Sequence, residues 1–259
     1  MLAGRAPSAA SAPSATAAGD ARWLDRSVAF VWLATGVLVL HPYYRAVGGA
    51  WLARLRLGPW AMWATCGAEV ALGLRLCFGP PRAWLVAVQL GAVGAFTLVL
   101  AVLEPTLLAD PFGALTKNVP LAAVVGTAWV VAREGWTARA RRLLRAGMAV
   151  VWITEGLVPK ILFQQPHELE VVAGSGLVPM DPALFLRLLG AAQVGSGVAA
   201  LLLPRGRLLR ALWGCQLAAL AVLPVLVSLH DPLLWVHPFG PLIKNVPILA
   251  GTLALVRRC

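Results

Sequence analysis

Long apolar runs separated by short polar turns dominate the sequence. A helix needs roughly 20 predominantly apolar residues to cross the hydrocarbon core of a bilayer. Eight runs come near this length, at residues 27–42, 60–78, 83–103, 114–132, 146–163, 183–203, 208–228 and 242–256. The pattern predicts an all-α, polytopic transmembrane protein with about eight spans.

The chain contains one ten-residue segment twice. Residues Pro111 to Pro120 return as Pro238 to Pro247 with eight of ten positions identical, and an apolar run follows each copy. Self-similarity of this kind indicates a repeat architecture. The correspondence extends outward from the segment through the pairs Gln89 and Gln216, Glu69 and Gln193, Gly73 and Gly197, Gly36 and Gly156, and Trp32 and Trp152. We therefore predict two homologous four-helix repeats.

The repeat sets the predicted domain boundaries. Residues 1–21 are rich in Ala, Ser and Pro, and this composition predicts a disordered cytoplasmic tail without a secretory signal. The first repeat covers 22–133 and the second covers 146–259. Between them, 134–145 forms a basic cytoplasmic linker, which acts either as a topology signal or as a short amphipathic helix on anionic lipid.

Composition and charge agree with a membrane protein. Hydrophobic residues make up 59% of the chain and charged residues 13%, far from the balance of soluble domains. The net charge of +11 does not indicate nucleic-acid binding, because the basic residues lie between apolar runs. Fifteen of the 22 basic residues but three of the 11 acidic ones fall on one predicted side. This bias predicts a multi-pass protein of the cell membrane with both termini cytoplasmic and parallel repeats.

Three motifs resemble those of one known family. They are the paired Pro-Phe-Gly-x-Leu-x-Lys-Asn-Val-Pro segments, the Gly67-Ala-Glu69 sequence, and the run from Trp152 to Lys160. Together they resemble the DoxX-like family of small four-helix bacterial membrane proteins, here duplicated in one chain. The wider DoxX group is associated with quinone-linked and thiol-linked redox complexes. The resemblance thus implies a bacterial inner-membrane protein that serves a redox system.

Two acidic residues lie inside predicted spans. An ionisable residue in a span is by default a candidate functional residue, so we expect Glu155 and Glu69 to handle protons. Their repeat counterparts are Thr35 and Gln193, and this broken symmetry predicts a single asymmetric site between the halves. The alternative is that each Glu only hydrogen-bonds to a neighbouring helix. Glu155 would also pair with Lys160 if Pro159 bends the helix.

The lysines of the repeated motif are the next candidates. Lys117 and Lys244 are expected either to bind an anionic or carbonyl-bearing group, or to extend outward from helix starts capped by Asn118 and Asn245. We expect Lys244 to matter more for function, because it shares the half that carries Glu155 and Lys160. The full set of predicted ligand-binding residues is Lys117, Asn118, Lys244, Asn245, Lys160, Gln193 and Trp152.

Other reactive residues do not form a recognisable motif. The outer connections carry His and acidic residues without a known metal-ligand spacing, so no metal site is predicted. The four cysteines include no Cys-x-x-Cys pair, which argues against thiol exchange. The sequence does not specify a cofactor.

Two functional hypotheses stay open. The first is a membrane redox component that handles a quinone-like or other lipophilic molecule between the halves. The second is a non-enzymatic carrier, or a scaffold that recruits a soluble partner enzyme through its basic cytoplasmic face. No nucleotide-binding glycine pattern or nucleophile elbow is present in the sequence, so a self-sufficient enzyme is not expected.

Overall fold

A computed structural model describes residues 14–258, and this part of the chain is helical, without strands. It confirms the predicted all-α class. Short 3₁₀ segments occur at Leu38–Leu40, Pro105–Ala109 and Pro232–Trp235, and a π-helical segment occurs at Leu157–Leu162. The α-helices are α1 (Ala15–Val37), α2 (Pro42–Arg54), α3 (Pro59–Phe78), α4 (Ala83–Leu103), α5 (Asn118–Glu134), α6 (Ala138–Gly156), α7 (Pro166–Gly174), α8 (Pro182–Leu202), α9 (Arg207–His230) and α10 (Asn245–Arg258).

Each half contains a short helix that the apolar pattern did not predict. Helices α1 to α5 correspond in order to α6 to α10, and the additional helices are α2 and α7. Both start with a proline, at Pro42 and Pro166, after an extended residue. A proline is favourable at the first helical position, where its missing N–H would have no partner. With 13 and nine residues, these helices are too short to cross a bilayer.

The two repeats share one core. Helices α1, α5, α6 and α10 pack together in the centre, α3 and α8 pack on α1 and α6, and α4 and α9 pack on α5 and α10. Side chains from both halves, including Leu24, Val124, Leu144, Met148 and Ile248, are fully buried there. The last helix of each repeat is therefore surrounded by protein, while α4 and α9 expose most of their apolar surface.

Matched glycines allow the first and second long helices of each repeat to approach closely. A Cβ atom on Gly36 would lie 2.6 Å from a carbonyl oxygen of α3, and one on Gly156 would lie 2.6 Å from a carbonyl oxygen of α8. The second matched pair, Gly73 and Gly197, makes the reciprocal contacts with α1 and α6. The equivalent positions of these glycines confirm their alignment between the two repeats, which the sequence alone predicted.

Several helices have the length and composition of membrane spans. Five qualify, namely α1 with its 3₁₀ extension, α3, α4, α8 and α9. Helix α6 with its π-helical extension, taken together with α7, would be a sixth, bent by 92°. Helices α5 and α10 have 17 and 14 residues and are shorter than these five candidate spans. A multi-pass membrane protein is thus supported, while the number of eight spans stays a prediction.

The predicted tail and linker are partly helical. Residues 1–13 lie outside the described part of the chain, but α1 begins at Ala15, where Ser14 accepts a hydrogen bond from the Ala17 N–H. Most of the predicted linker forms the first turns of α6, which Thr137 caps. Arg145 donates to the carbonyl oxygens of Ala200 and Leu203, and thereby fixes the start of α6 against the end of α8.

Candidate ligand-binding site

The repeated motif forms a turn followed by a buried lysine. Gly113 and Gly240 have φ angles of +78° and +56°, which favour glycine. The lysines that follow reach across to the other repeat, where the Lys117 Nζ donates to the Pro241 oxygen at 3.0 Å and the Lys244 Nζ donates to the Ala114 oxygen at 2.7 Å. These two contacts are equivalent in the repeat, and they join the halves.

The structure corrects two expectations about this motif. Lys117 and Lys244 are only 5% and 8% exposed, so they do not extend into solvent. The asparagines are not helix caps, because α5 and α10 start at Asn118 and Asn245 themselves, and Lys117 precedes α5 without a side-chain capping bond. The Asn118 amide instead donates to the Thr97 hydroxyl at 2.7 Å.

Glu155 contacts the turn of the other repeat. Its Oε1 atom accepts a hydrogen bond from the Thr116 hydroxyl at 3.2 Å. A Cβ atom at Gly113 would lie 2.1 Å from the same oxygen, so a larger residue at this position would displace the carboxylate. Lys117 interacts electrostatically with Glu155, which brings an acid from the second half next to a lysine from the first.

Lys160 pairs with a residue that was not predicted. Its Nζ lies 2.9 Å from Glu168 Oε1, and both side chains are buried. Toward Glu155, Lys160 donates only to the backbone oxygen, at 3.3 Å. The expected Glu155–Lys160 ion pair is therefore wrong. The reason is the π-helical segment at Leu157–Leu162, which aims Lys160 toward α7.

These polar groups lie on the wall of a cavity of about 570 Å³ in the second repeat. Helices α6 to α9 supply an apolar wall that includes Val171, Leu186, Leu220, Leu223 and Val227. The charged side chains on the wall are Lys117, Glu155, Lys160 and Glu168, and His230 also lines the cavity. Cavities of this size with an apolar wall and a few polar groups are typical of small-molecule binding sites.

The cavity brings together six of the nine predicted site residues. Those that line it are Lys117, Trp152, Glu155, Lys160, Gln193 and Asn245. Asn118, Lys244 and Glu69 do not line it. Glu69 lies in the equivalent region of the first half, within hydrogen-bonding reach of Thr35 and close to Lys244. Of the two acids, only Glu155 thus lines this cavity, and a single site that holds both stays a prediction.

The position of the lysines also overturns the reason for favouring Lys244. Each lysine crosses the interface, so the one from the first half, Lys117, reaches the cavity of the second. Lys244 approaches the acid of the first half instead. Membership of the same repeat therefore does not tell which lysine is close to Glu155.

Four buried polar atoms on the cavity wall lack hydrogen-bond partners within residues 14–258. They belong to side chains at most 8% exposed, and they are Trp152 Nε1, Glu168 Oε2, Gln193 Oε1 and Asn245 Oδ1. Buried polar atoms are nearly always hydrogen-bonded in folded proteins. These four residues line the cavity, but the unpaired atoms themselves are covered by protein.

Comparison with known proteins identifies the family. The model of the DoxX-like family matches residues 29–126 and again residues 149–253. The chain belongs to the DoxX-like family. The two matches support a tandem duplication of the DoxX-like unit, as the repeat predicted. No curated protein and no solved structure matches the chain.

Sequence reasoning missed Glu168 of the second DoxX-like unit. It lies two residues after Pro166, and Tyr44 lies two residues after Pro42 in the first unit. Alignment of these two prolines would have shown an acid where the first unit has an aromatic residue. The length of apolar runs does not reveal this residue, because α7 has nine residues and is too short to count as a span.

Polar residues of the connections between helices tie each short helix to its own DoxX-like unit. Arg54 of α2 pairs with Glu104 at 3.1 Å, and His167 of α7 pairs with Asp231 at 3.4 Å. Among the described residues, no group of three or more His, Cys, Asp or Glu side chains is arranged to hold a metal ion. Burial lowers the pKa of His237, whose ring packs against Phe239.

Proposed function

We propose that this DoxX-like protein binds a lipophilic small molecule in the cavity of its second repeat. The observation that supports this most directly is the cavity itself, which combines an apolar wall with a small polar region around Glu155 and Lys117. Helices α8 and α9, which form part of the wall, are exposed and apolar enough to lie in the bilayer. A ligand dissolved in the membrane would therefore reach the cavity without passing through water.

A quinone-like compound is the ligand class that we test first. Reduction of a quinone to a quinol consumes two electrons and two protons. In this proposal Glu155 exchanges protons with the ligand, and a partner redox protein supplies the electrons. Glu69 does not line the cavity, so we restrict the proton-handling proposal to Glu155.

The test is to purify the protein in mild detergent and to identify co-extracted small molecules by mass spectrometry and absorbance. A cavity-filling variant, Leu223→Trp, should lose the bound compound. Its matched control is Phe96→Trp, at the equivalent position of the first repeat, where the side chain is 41% exposed. Wild type and control should both retain the compound in stoichiometric amounts.

A second comparison uses the two acids. Glu155→Gln should weaken retention of the compound, while Glu69→Gln should leave it unchanged, because only Glu155 lines the cavity. An empty wild-type protein that is not stabilised by added quinone, quinol or other membrane lipids would overturn the proposal. Copurification of a soluble protein with that empty form would favour the scaffold hypothesis instead.

A further inference from the structure

The first repeat contains a cavity of about 490 Å³ that shares no residue with the cavity of the second repeat. It lies between α1 and the connection from α3 to α4, where Arg22, Asp25, Arg26 and residues 76–81 line it. The apolar runs 27–42, 60–78 and 83–103 all begin or end within a few residues of this place. The cavity therefore lies at the level where lipid head groups would meet the protein.

In the second repeat, an arginine closes the equivalent junction between helices. Arg145 of α6 donates to the carbonyl oxygens of Ala200 and Leu203 at the end of α8. The usual helical donor to the Ala200 oxygen would be the N–H of residue 204, but this residue is a proline. Arg145 thus supplies a hydrogen bond that the backbone cannot make.

In the first repeat, an aspartate occupies the position of this arginine. Asp25 aligns with Arg145, and Leu76 aligns with Ala200, at the same offsets as the matched glycines. Pro80 again removes the usual helical donor to the Leu76 oxygen. An ionised carboxylate only accepts hydrogen bonds, and Asp25 takes part in none of the ion pairs within residues 14–258. This junction therefore presents acceptors where the second repeat has a donor.

The side chains that line the cavity carry both signs of charge. Arg22 and Arg26 are exposed, and guanidinium groups bind phosphate oxygens well. Asp25 is partly buried beside the C-terminal end of α3, where carbonyl oxygens and the helix dipole favour a cation. A primary ammonium suits this place, because it has three N–H donors and no acceptor.

The balance of these charges argues against a simple ion. The guanidinium of Arg75 lies against Gly79 and adds a third positive charge beside the cavity, so an isolated cation would be repelled. A simple anion would pair with the arginines but would leave Asp25 without a cation. A group that carries a phosphate and an ammonium matches both parts of the cavity.

We propose that this cavity binds the head group of a phospholipid of the phosphoethanolamine class. The phosphate pairs with Arg22 and Arg26, and the ammonium donates to Asp25 at the end of α3. The acyl chains lie on the adjoining apolar surface, where Phe78 is 86% exposed. This inference concerns a separate cavity and does not rest on the proposed function.

Lipids with the same two oleoyl chains and different head groups test the inference. Native mass spectrometry of the full chain in detergent would measure the binding of phosphatidylethanolamine, phosphatidylcholine and phosphatidylglycerol. The trimethylammonium of phosphatidylcholine has no N–H, so we expect phosphatidylethanolamine to bind about tenfold more tightly. Phosphatidylglycerol offers no ammonium to Asp25 and should also bind more weakly than phosphatidylethanolamine.

Four variants link this preference to the cavity. Asp25→Asn should reduce phosphatidylethanolamine binding to the level of phosphatidylcholine, without weakening phosphatidylcholine. Asp25→Arg reproduces the residue of the second repeat, and it should have the same effect if Asp25→Asn fails to fold. Arg22→Gln should weaken all three lipids, because each carries a phosphate. Its matched control is Arg142→Gln, at the equivalent exposed position of the second repeat, which should change none of them.

A soluble probe separates a lipid from a free head group. Glycerophosphoethanolamine has the same head group without acyl chains, and we expect it not to displace phosphatidylethanolamine at equal concentration. Displacement would show that the cavity takes a soluble compound, and it would overturn the lipid assignment. Equal binding of phosphatidylethanolamine and phosphatidylcholine, or tighter binding of phosphatidylglycerol, would overturn the recognition of an ammonium. An unchanged preference in both Asp25 variants would overturn the assignment to this cavity.

Discussion

The two repeats have the same helices in the same order, yet they treat their buried polar groups differently. In the first repeat, Trp32 pairs with Gln89, and Tyr44 is buried with its hydroxyl 3.7 Å from Cys66 Sγ. In the second repeat, the equivalent tryptophan has no hydrogen-bond partner among residues 14–258, and Glu168 occupies the position of Tyr44. The cavity wall therefore combines residues that are identical in both repeats, such as Trp152, with residues that differ between them, such as Glu155 and Glu168.

The symmetric features are those that hold the halves together. The reciprocal bonds from Lys117 to Pro241 and from Lys244 to Ala114 are made in both directions across the interface. The acids next to these lysines are not symmetric, since Glu155 has Thr35 as its counterpart. The same arrangement of helices therefore surrounds different polar side chains in the two repeats.

The largest expected effect comes from adding a methyl group at a symmetric helix contact. Gly36→Ala and Gly156→Ala would each place a Cβ atom 2.6 Å from a backbone carbonyl oxygen of the facing helix. Overpacking of this kind costs about 1–3 kcal/mol. We expect both variants to lose similar thermal stability in detergent, because the two contacts are equivalent.

The control for this prediction is Gly195→Ala. A Cβ atom at Gly195 of α8 would meet nothing within 4 Å, so its effect should be close to zero. A large difference between Gly36→Ala and Gly156→Ala would show that the glycine contacts are not equivalent. In that case the two helix contacts would differ in their contribution to stability although their geometry is equivalent.

Whether a feature of this molecule can be predicted from the sequence depends on how far apart in the chain its interacting residues lie. The repeat, the glycine pairs and the exchange of Glu155 for Thr35 follow from alignment of the chain with itself. The crossing of Lys117 to Pro241 does not, because a hydrogen bond between residues 124 positions apart depends on how the halves pack.

The polar wall of the cavity was only partly predictable for a similar reason. Glu155, Gln193 and Trp152 stood out as polar or matched residues within spans. The partner of Lys160 did not, because the π-helical segment and the short helix α7 decide which acid Lys160 meets. Apolar periodicity does not report such local changes in helix type.

A smaller effect should come from the matched tryptophans. Trp32→Phe removes the donor to Gln89 and leaves a buried oxygen unpaired, and because this bond is long, at 3.4 Å, we expect a cost of about 1 kcal/mol. Trp152→Phe removes an N–H that has no partner in the described chain, so the ligand-free protein should lose less stability. Thermal unfolding of both variants after delipidation measures the difference.

Bound ligand should reverse which of the two tryptophan variants loses more thermal stability. With ligand bound, Trp152→Phe should lose part of the ligand-induced stabilisation, while Trp32→Phe should keep it. Equal losses for both variants in the ligand-free protein would mean that Trp152 has a protein partner after all. The contrast between the repeats would then not extend to this position.

The smallest effect concerns the exposed ion pair that ties α2 to the first repeat. The hydroxyl of Thr106 and the guanidinium of Arg54 both bond the Glu104 carboxylate, at 2.6 Å and 3.1 Å, and they lower its pKa. A carboxyl whose pKa is lower in the folded state adds stability above its unfolded pKa of about 4.3, and this contribution is lost as the pH falls through the folded value. Glu104→Gln should therefore be slightly less stable than wild type at about pH 7, and the difference should shrink as the pH falls below about 4.3. Melting temperatures of both proteins across this pH range provide the measurement. A difference that persists at low pH would mean that the side chain contributes through its shape rather than its charge.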